Sequence, residues 1–159
     1  MAVTKIIPLH ARKGTSALNS LSDRIDYIED EKKTEQGKFI SSYMCAPETA
    51  AEEFLLSRQQ YVLKHTDKVK NGKEVIAYQI IQSFKPGEIS PEKANELGYE
   101  LAMRFTKGKH AFVVSTHTDK EHIHNHIIYN AVDLNADRKF RDFLRSGRAV
   151  QKLSDIICL

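Results

Sequence analysis

The stretch STHTDKEHIHNHIIYN, residues 115–130, carries four of the chain's seven histidines. His122, His124 and His126 fall at alternate positions, and His117 lies just upstream. A period of two is the period of a β-strand, so the three imidazoles project from one face of a sheet. The flanking runs HAFVVSTH and HIHNHIIYN predict a β-hairpin joined by TDKE. With His117 opposite His122 across that turn, Ser115 opposes His124 and Val113 opposes His126. All of these side chains then share one face. Phe112, Val114, Ile123, Ile127 and Tyr129 fall on the other face, where they can pack on helices.

Neutral imidazole is a good ligand for divalent metals, and three such ligands leave coordination positions open for substrate. Cross-strand diagonals favour His117 with His124 and His126. His122, nearest the turn, is either a fourth ligand or a group behind the ligands. Asp119 and Glu121 lie in the turn, where a carboxylate can accept the other ring N–H of a ligand and fix its tautomer. A three-histidine set suits Zn or Mn, and a phosphate substrate brings Mg through its own oxygens.

Working outward, the pattern alternates short strands and helices. TKIIPLH (4–10) reads as a strand, with Pro8 suited to an edge. A helix is expected from about Ser16 to Glu29 on the spacing of Leu18, Leu21, Ile25 and Ile28, with Gly37 as its stop. KFISSYMC (38–45) reads as a strand. Pro47 opens a helix reaching about His65, with Ala51, Phe54, Leu55, Tyr61 and Val62 available for a core. KNGK (70–73) is a turn signal, and EVIAYQIIQSF (74–84) is strongly β. Ser90-Pro91 is a cap and first-turn pair for a helix to about Phe105, burying Ala94, Leu97, Leu101 and Phe105. After the hairpin, a strand near Lys139–Phe143 and a helix from about Ser146 complete the pattern. The expected fold class is α+β: a mostly antiparallel central β-sheet flanked by helices. The whole of 1–159 reads as a single domain, the N-terminal part of a longer protein, because the last residues, SDIICL, lie inside an apolar helical pattern.

One residue does not fit its helix. Tyr27 falls roughly 140° from the middle of the stripe Leu18, Leu21, Ile25, Ile28, at about 100° per residue. A tyrosine packed as core sits on the stripe. This one points elsewhere, towards either solvent or a cleft. A tyrosine nucleophile forms a covalent ester with phosphorus and conserves the energy of a broken phosphodiester. A free phenol ionises near ~10, so it needs help from a polarising group at the phosphate.

Composition bounds these readings. The chain of 159 residues is 41% hydrophobic and 28% charged, which is globular and not disordered. A net charge of +3 does not by itself mark a nucleic-acid binder. Its distribution says more: Arg138, Lys139, Arg141, Arg145, Arg148 and Lys152 stand against only Asp137 and Asp142. That is a patch able to meet phosphates, or equally a solvated helix face. Cys45 and Cys158 are far apart and read as free thiols. No apolar run is long enough to span a bilayer and no signal peptide opens the chain, so a cytoplasmic location without membrane insertion is expected.

HTDKEHIHNHIIYN resembles the third motif of the conjugative relaxases, nickases of the HUH endonuclease superfamily, most closely the MobP-type mobilisation nucleases. IDYIEDEKKTE resembles that family's first motif, and YQIIQSFKPGEISPEKANELG its middle segment. The three blocks come in the family's order. The resemblance implies that Tyr27 is the nucleophile and that His117, His124 and His126 hold the metal. Asp119 and His122 match the motif as further catalytic candidates. Ser83 matches a polar residue holding DNA near the nick, and Arg12 and Lys13 match an N-terminal basic segment on the DNA backbone. Arg138 and Lys139 are added as DNA-binding candidates from the basic patch. Asn125, between His124 and His126, stands where the superfamily is often hydrophobic, whereas the adjacent HIH fits that rule, which leaves open whether His122 and His124 are the pair that binds.

The implied reaction is metal-dependent, strand-specific nicking of single-stranded or melted DNA at a transfer origin, giving a 5′-phosphotyrosyl link and a free 3′-OH. The implied cofactor is Mg or Mn, with Zn or Ni able to bind in vitro. The implied partners are accessory mobilisation proteins and a type IV secretion coupling protein, with the domain itself a monomer. Other readings compete. An HUH replication initiator places its tyrosine on a helix after the histidines, and no tyrosine follows Tyr129. A non-catalytic, metal-stabilised DNA-binding module needs no Tyr27. A hydrolase of small phosphodiesters predicts turnover of soluble substrates.

Overall fold

Alternating apolar positions draw distant segments of the chain into one sheet. The computed structural model describes residues 2–66, 74–141 and 145–159. The elements are β1 (Val3–His10), α1 (Ala17–Ile28), β2 (Ile40–Tyr43), α2 (Ala50–Lys64), β3 (Val75–Ser83), α3 (Pro91–Phe105), β4 (Phe112–His117), β5 (His124–Asn130) and α4 (Ser146–Ile157). The strands run in the order β1-β3-β5-β4-β2, and every neighbouring pair is antiparallel. This is the expected α+β architecture.

The helices start where the sequence chemistry says. Ser16 caps α1 by accepting from the Asn19 N–H, and Ser90 caps α3 by accepting from the Lys93 N–H. Pro47 opens a 3₁₀ turn, Pro47–Thr49, that leads into α2. α1 and α2 cover one sheet face, setting Leu21, Ile25, Ile28 and Phe54 against Leu9, Ala77, Val113 and Ile128. α3 and α4 cover the other, setting Leu101 and Val150 against Phe112, Val114, Ile127 and Tyr129. Pro8 lies on the edge strand β1, where its missing N–H costs no ladder bond.

Several expectations are corrected. Leu18 is 39% exposed; it stands about 60° around the helix from Leu21, at the margin of the apolar stripe. α1 ends at Ile28, within one residue of the expected Glu29, but Gly37 is not its stop: Glu35, Gln36 and Gly37 all take positive φ in the turns that follow. Near Lys139 there is only an isolated bridge, Val132 with Lys139, rather than a strand, and Phe143 lies outside the described residues, as does KNGK.

The hairpin register also differs from expectation. His117 pairs with His124 and Ser115 with His126, a slip of two residues. β5 begins at His124 because the preceding residues belong to the other neighbour: the Phe84 N–H, just past β3, donates to the Ile123 carbonyl at 2.9 Å. Ile123 packs there beside the cluster of Phe84, Ala94 and Leu97. His122 therefore sits in the connection and not in the strand. A slip of two preserves side-chain parity, so the histidines keep the expected face. That face is not purely polar, however. Val113 and Ile128 are buried on it beneath the helices, and the imidazoles occupy only its far end.

Asn125 points the opposite way and is fully buried. Its Nδ2 donates to Gln82 Oε1 at 2.9 Å and to the Ala94 carbonyl at 2.6 Å, and its Oδ1 accepts from Thr116 Oγ1 at 2.6 Å. A methyl on Gly98 would lie 2.6 Å from Asn125 Nδ2, so α3 reaches the sheet here only because Gly98 has no side chain. The polar residue between His124 and His126 is thus a satisfied member of the α3 interface.

Candidate functional site

β4 and β5 present the histidines side by side. The His117 and His126 ring centroids are 4.2 Å apart, and those of His124 and His126 are 6.4 Å apart. His122 follows at 6.2 Å from His124, with its Nδ1–H on the Phe84 carbonyl at 3.3 Å. β3 adds Ser83, which pairs directly with His124 in the ladder and so shares its face.

The last turn of α1 closes over this end of the sheet. The Ile28 carbonyl accepts from His117 Nε2–H at 2.7 Å. Tyr27, 52% exposed, stands edge-on to His117 with ring centroids 6.3 Å apart. The off-stripe position read from the helix period therefore puts the phenol next to the imidazoles. The segment after α1 folds back against the hairpin turn, where the Thr118 N–H donates to the Lys33 carbonyl at 2.8 Å. Lys33 Nζ donates to Tyr27 Oη at 3.2 Å and lies 4.4 Å from the centre of its ring. Asp119 is 4.0 Å from the same ammonium.

Burial favours the neutral form of His117, His124 and His126. It is the largest effect depressing His117 and His124, and it pushes His126 down to about 3, with the neighbouring His117 and His124 and the cations Lys33 and Arg24 adding to the shift. Neutral imidazoles are the ligating form, so the chemistry of these side chains suits a divalent cation. His117 offers a lone pair on Nδ1, since Nε2–H is held by a backbone carbonyl, the usual way a ligand's tautomer is fixed. His126 differs, because its Nδ1 accepts from Gln79 Nε2 at 3.0 Å. Among the described residues no three His, Cys, Asp or Glu side chains converge on one point.

The DNA-binding candidates divide in space. Arg12 is ion-paired with Asp23 on α1, and with Arg24 and Tyr27 it lines a cavity of about 230 Å³. Lys13 lines a neighbouring hollow with Arg12 and Arg58. Lys139 is not brought to this end of the sheet. Its ammonium bonds Glu74 at 2.8 Å, and Glu74 precedes β3 whereas Ser83 ends it. Arg138 lies beside Lys139, its N–H on Asp133 Oδ1 at 3.2 Å. Lys33, Arg24 and Gln79 were not singled out from sequence. Arg24 had a signal, since it lies three residues before Tyr27 on the same helix. Lys33 follows the end of the helix, so no periodicity points it back at Tyr27.

The nuclease-domain family described as "Relaxase: MobA/VirD2-like" matches residues 27–159, beginning at Tyr27 itself. The chain belongs to this relaxase family. Two Staphylococcus aureus proteins named Protein rlx are similar to the relaxase domain. One is 38% identical over 141 residues, covering 87% of this chain and 40% of its own length. The other is 35% identical over 159 residues, covering 100% and 41%. The group II intron-interrupted relaxase LtrB of Lactococcus lactis subsp. cremoris is 31% identical over 153 residues, covering 81% and 27%. This relaxase domain thus spans well under half the length of these relatives. Among the described residues, no helix is long and apolar enough to cross a membrane. Tyr129 is buried on the face opposite the imidazoles, among the α3 and α4 contacts, so Tyr27 is the tyrosine at the cluster.

Proposed function

We propose that this domain nicks one DNA strand at a transfer origin, with Tyr27 as the nucleophile. The observation that carries the reading is the approach of the Tyr27 ring to His117, with the Lys33 ammonium on its oxygen. In the nicking step the bond from Tyr27 Oη to phosphorus forms and the bond from phosphorus to O3′ breaks. The phenolic proton passes to solvent and the departing 3′-oxygen takes one up. The products are a 5′-phosphotyrosyl link and a free 3′-OH, and the reverse attack reseals the strand. Lys33 stabilises negative charge on Oη both as it attacks and as it is expelled.

His117, His124 and His126 are the residues that would hold the cation, Mg or Mn in function, with Zn or Ni able to substitute in vitro. When bound, the cation polarises the scissile phosphate. His122 and Asp119 frame the cluster from the hairpin turn. Asp119 also holds Lys33 near the phenol. Ser83 meets the strand beside the nick. Arg12, Lys13 and Arg24 follow the backbone along the α1 side, and Arg138 and Lys139 contact a more distant stretch of DNA. The full-length protein acts in the cytoplasm in conjugation or mobilisation, with accessory mobilisation proteins and a type IV secretion coupling protein. The relaxase domain is monomeric.

The test is covalent capture of labelled single-stranded oligonucleotide in Mn or Mg, resolved on a denaturing gel and located by mass spectrometry. Tyr27→Phe is expected to retain DNA binding and lose the adduct. Lys33→Gln is expected to slow adduct formation by roughly 10²-fold. An undiminished adduct in Tyr27→Phe rejects the assignment.

A further inference from the structure

α1 crosses the end of the edge strand β1 without closing on it. The pairing of β1 with β3 slips there: Leu9 faces Ala77 but His10 faces Val75, so Ile76 is an extra residue. Such a bulge kinks the sheet locally. Ile76 and Ala77 both join the cluster beneath α1, although successive strand residues ordinarily face opposite ways. Between this kink and α1 lies the cavity of about 230 Å³. Leu9, Leu21 and Ile76, all buried, form its apolar floor. Ser20 is a buried α1 residue on its wall, and so small a side chain leaves the space unfilled.

The rim is polar and charged. Arg12 and Asp23 form an exposed ion pair there, and Arg24 follows Asp23 on α1. His10 donates Nδ1–H to the Glu74 carbonyl at 3.0 Å, which leaves Nε2 of the neutral ring as an acceptor. Tyr27 belongs to both places: it stands edge-on to His117 and forms part of the cavity wall. An apolar floor with cations at the mouth matches a flat ring carried on a phosphate chain. A dry cavity of roughly 150 Å³ holds a benzene, so this larger one suits a nucleobase. The floor takes the ring face. Asp23 and His10 Nε2 can accept from N–H groups on the base edge, and Arg12 and Arg24 can donate to the flanking phosphates.

We propose that this cavity seats one nucleobase of the single strand, from a nucleotide next to the phosphate that Tyr27 attacks, and so helps set where the strand is cut. This rests on the reading of Tyr27 as the nucleophile. It adds a grip on a base to the contacts with the DNA backbone, and it makes Ile76 the residue that reports the base.

Two measurements test this on the domain, without added cation so that no strand is cut. The probes are short strands of dA, of dC, of dT and of alternating dG and dT, with a base-free backbone of the same length. Methyl spectra of isoleucine-labelled protein read the cavity directly. The Ile76 methyl is expected to take a ring-current shift with at least one of the four strands and none with the base-free backbone. An Ile76 signal unmoved by strands that bind overturns the proposal, whether or not any substituted protein folds. Fluorescence anisotropy then gives affinities. The tightest and weakest of the four strands are expected to differ about 10-fold, and Ile76→Phe, which fills the cavity, to narrow that spread to about threefold. Equal affinity for all four, or an undiminished spread in folded Ile76→Phe, overturns it. Covalent capture separates this proposal from the one beneath it. An adduct at Tyr27 with Ile76 unmoved keeps the nicking assignment and removes only the base site. A shifted Ile76 with no adduct on any strand removes the nicking assignment, and with it the placement beside a scissile phosphate.

Discussion

Asn125 shows how one residue serves a site from behind. It lies between two histidines in the chain but faces away from them, so its hydrogen bonds to Gln82, the Ala94 carbonyl and Thr116 hold β5 against α3. The network extends to Asn95, which donates to Thr116 Oγ1 at 3.0 Å and to the Phe39 carbonyl at 3.0 Å. The strand that carries the imidazoles is thus anchored on its reverse side. Replacing Asn125 by Leu strands several buried polar partners and crowds Gly98. Urea unfolding of Asn125→Leu is expected to show a loss on the order of 3 kcal/mol. The sequence marked Asn125 as a departure from a hydrophobic pattern. Its role was not legible, because the donors and acceptors that satisfy it come from β3, β4 and α3.

At the scale of elements, α1 does two jobs. Its stripe of Leu21, Ile25 and Ile28 fills the core, and its last turn delivers Tyr27 and the Ile28 carbonyl to the histidines. The stripe and the exception to it were both readable, because helix period is a local property. The hairpin was readable to the same degree: face and strand identity followed from alternation, whereas register did not. Ile123 bonds to the end of β3 rather than to β4, and a loop four residues long in the sequence pattern became one of six. The start of α1 depends on Ser16, whose side chain accepts the Asn19 N–H at 3.0 Å. Ser16→Ala is expected to cost about 1 kcal/mol in chemical unfolding, with the sheet contacts unchanged.

Across the whole molecule, packing creates a charge problem that no single element contains. Glu29, the residue capping α1, is half-buried, with Oε2 hydrogen-bonded to nothing. Burial first, then Asp26 and Glu48, push its carboxyl up to about 8 from 4.5. The folded protein therefore holds a proton that the unfolded chain releases. Stability is highest below the unfolded value of 4.5, falls as pH rises, and has lost this contribution above about 8. Thermal unfolding from pH 4 to 9, in chelator, is expected to show that decline. Glu29→Gln should flatten it, gaining on the order of 1–2 kcal/mol at pH 9 after allowing for solvent screening of a half-exposed group.

By itself, the sequence determined what short-range periodicity can encode: α+β class, which strand face bears His117, His124 and His126, and a tyrosine displaced from its helix stripe. Each follows from geometry repeated over a few residues. Only the tertiary structure decided which histidine faces which, that Lys33 returns to the phenol, and that Gln79 meets His126 from forty-seven positions away. Those contacts depend on strand pairing and helix docking between remote segments, and a local pattern is compatible with more than one such pairing.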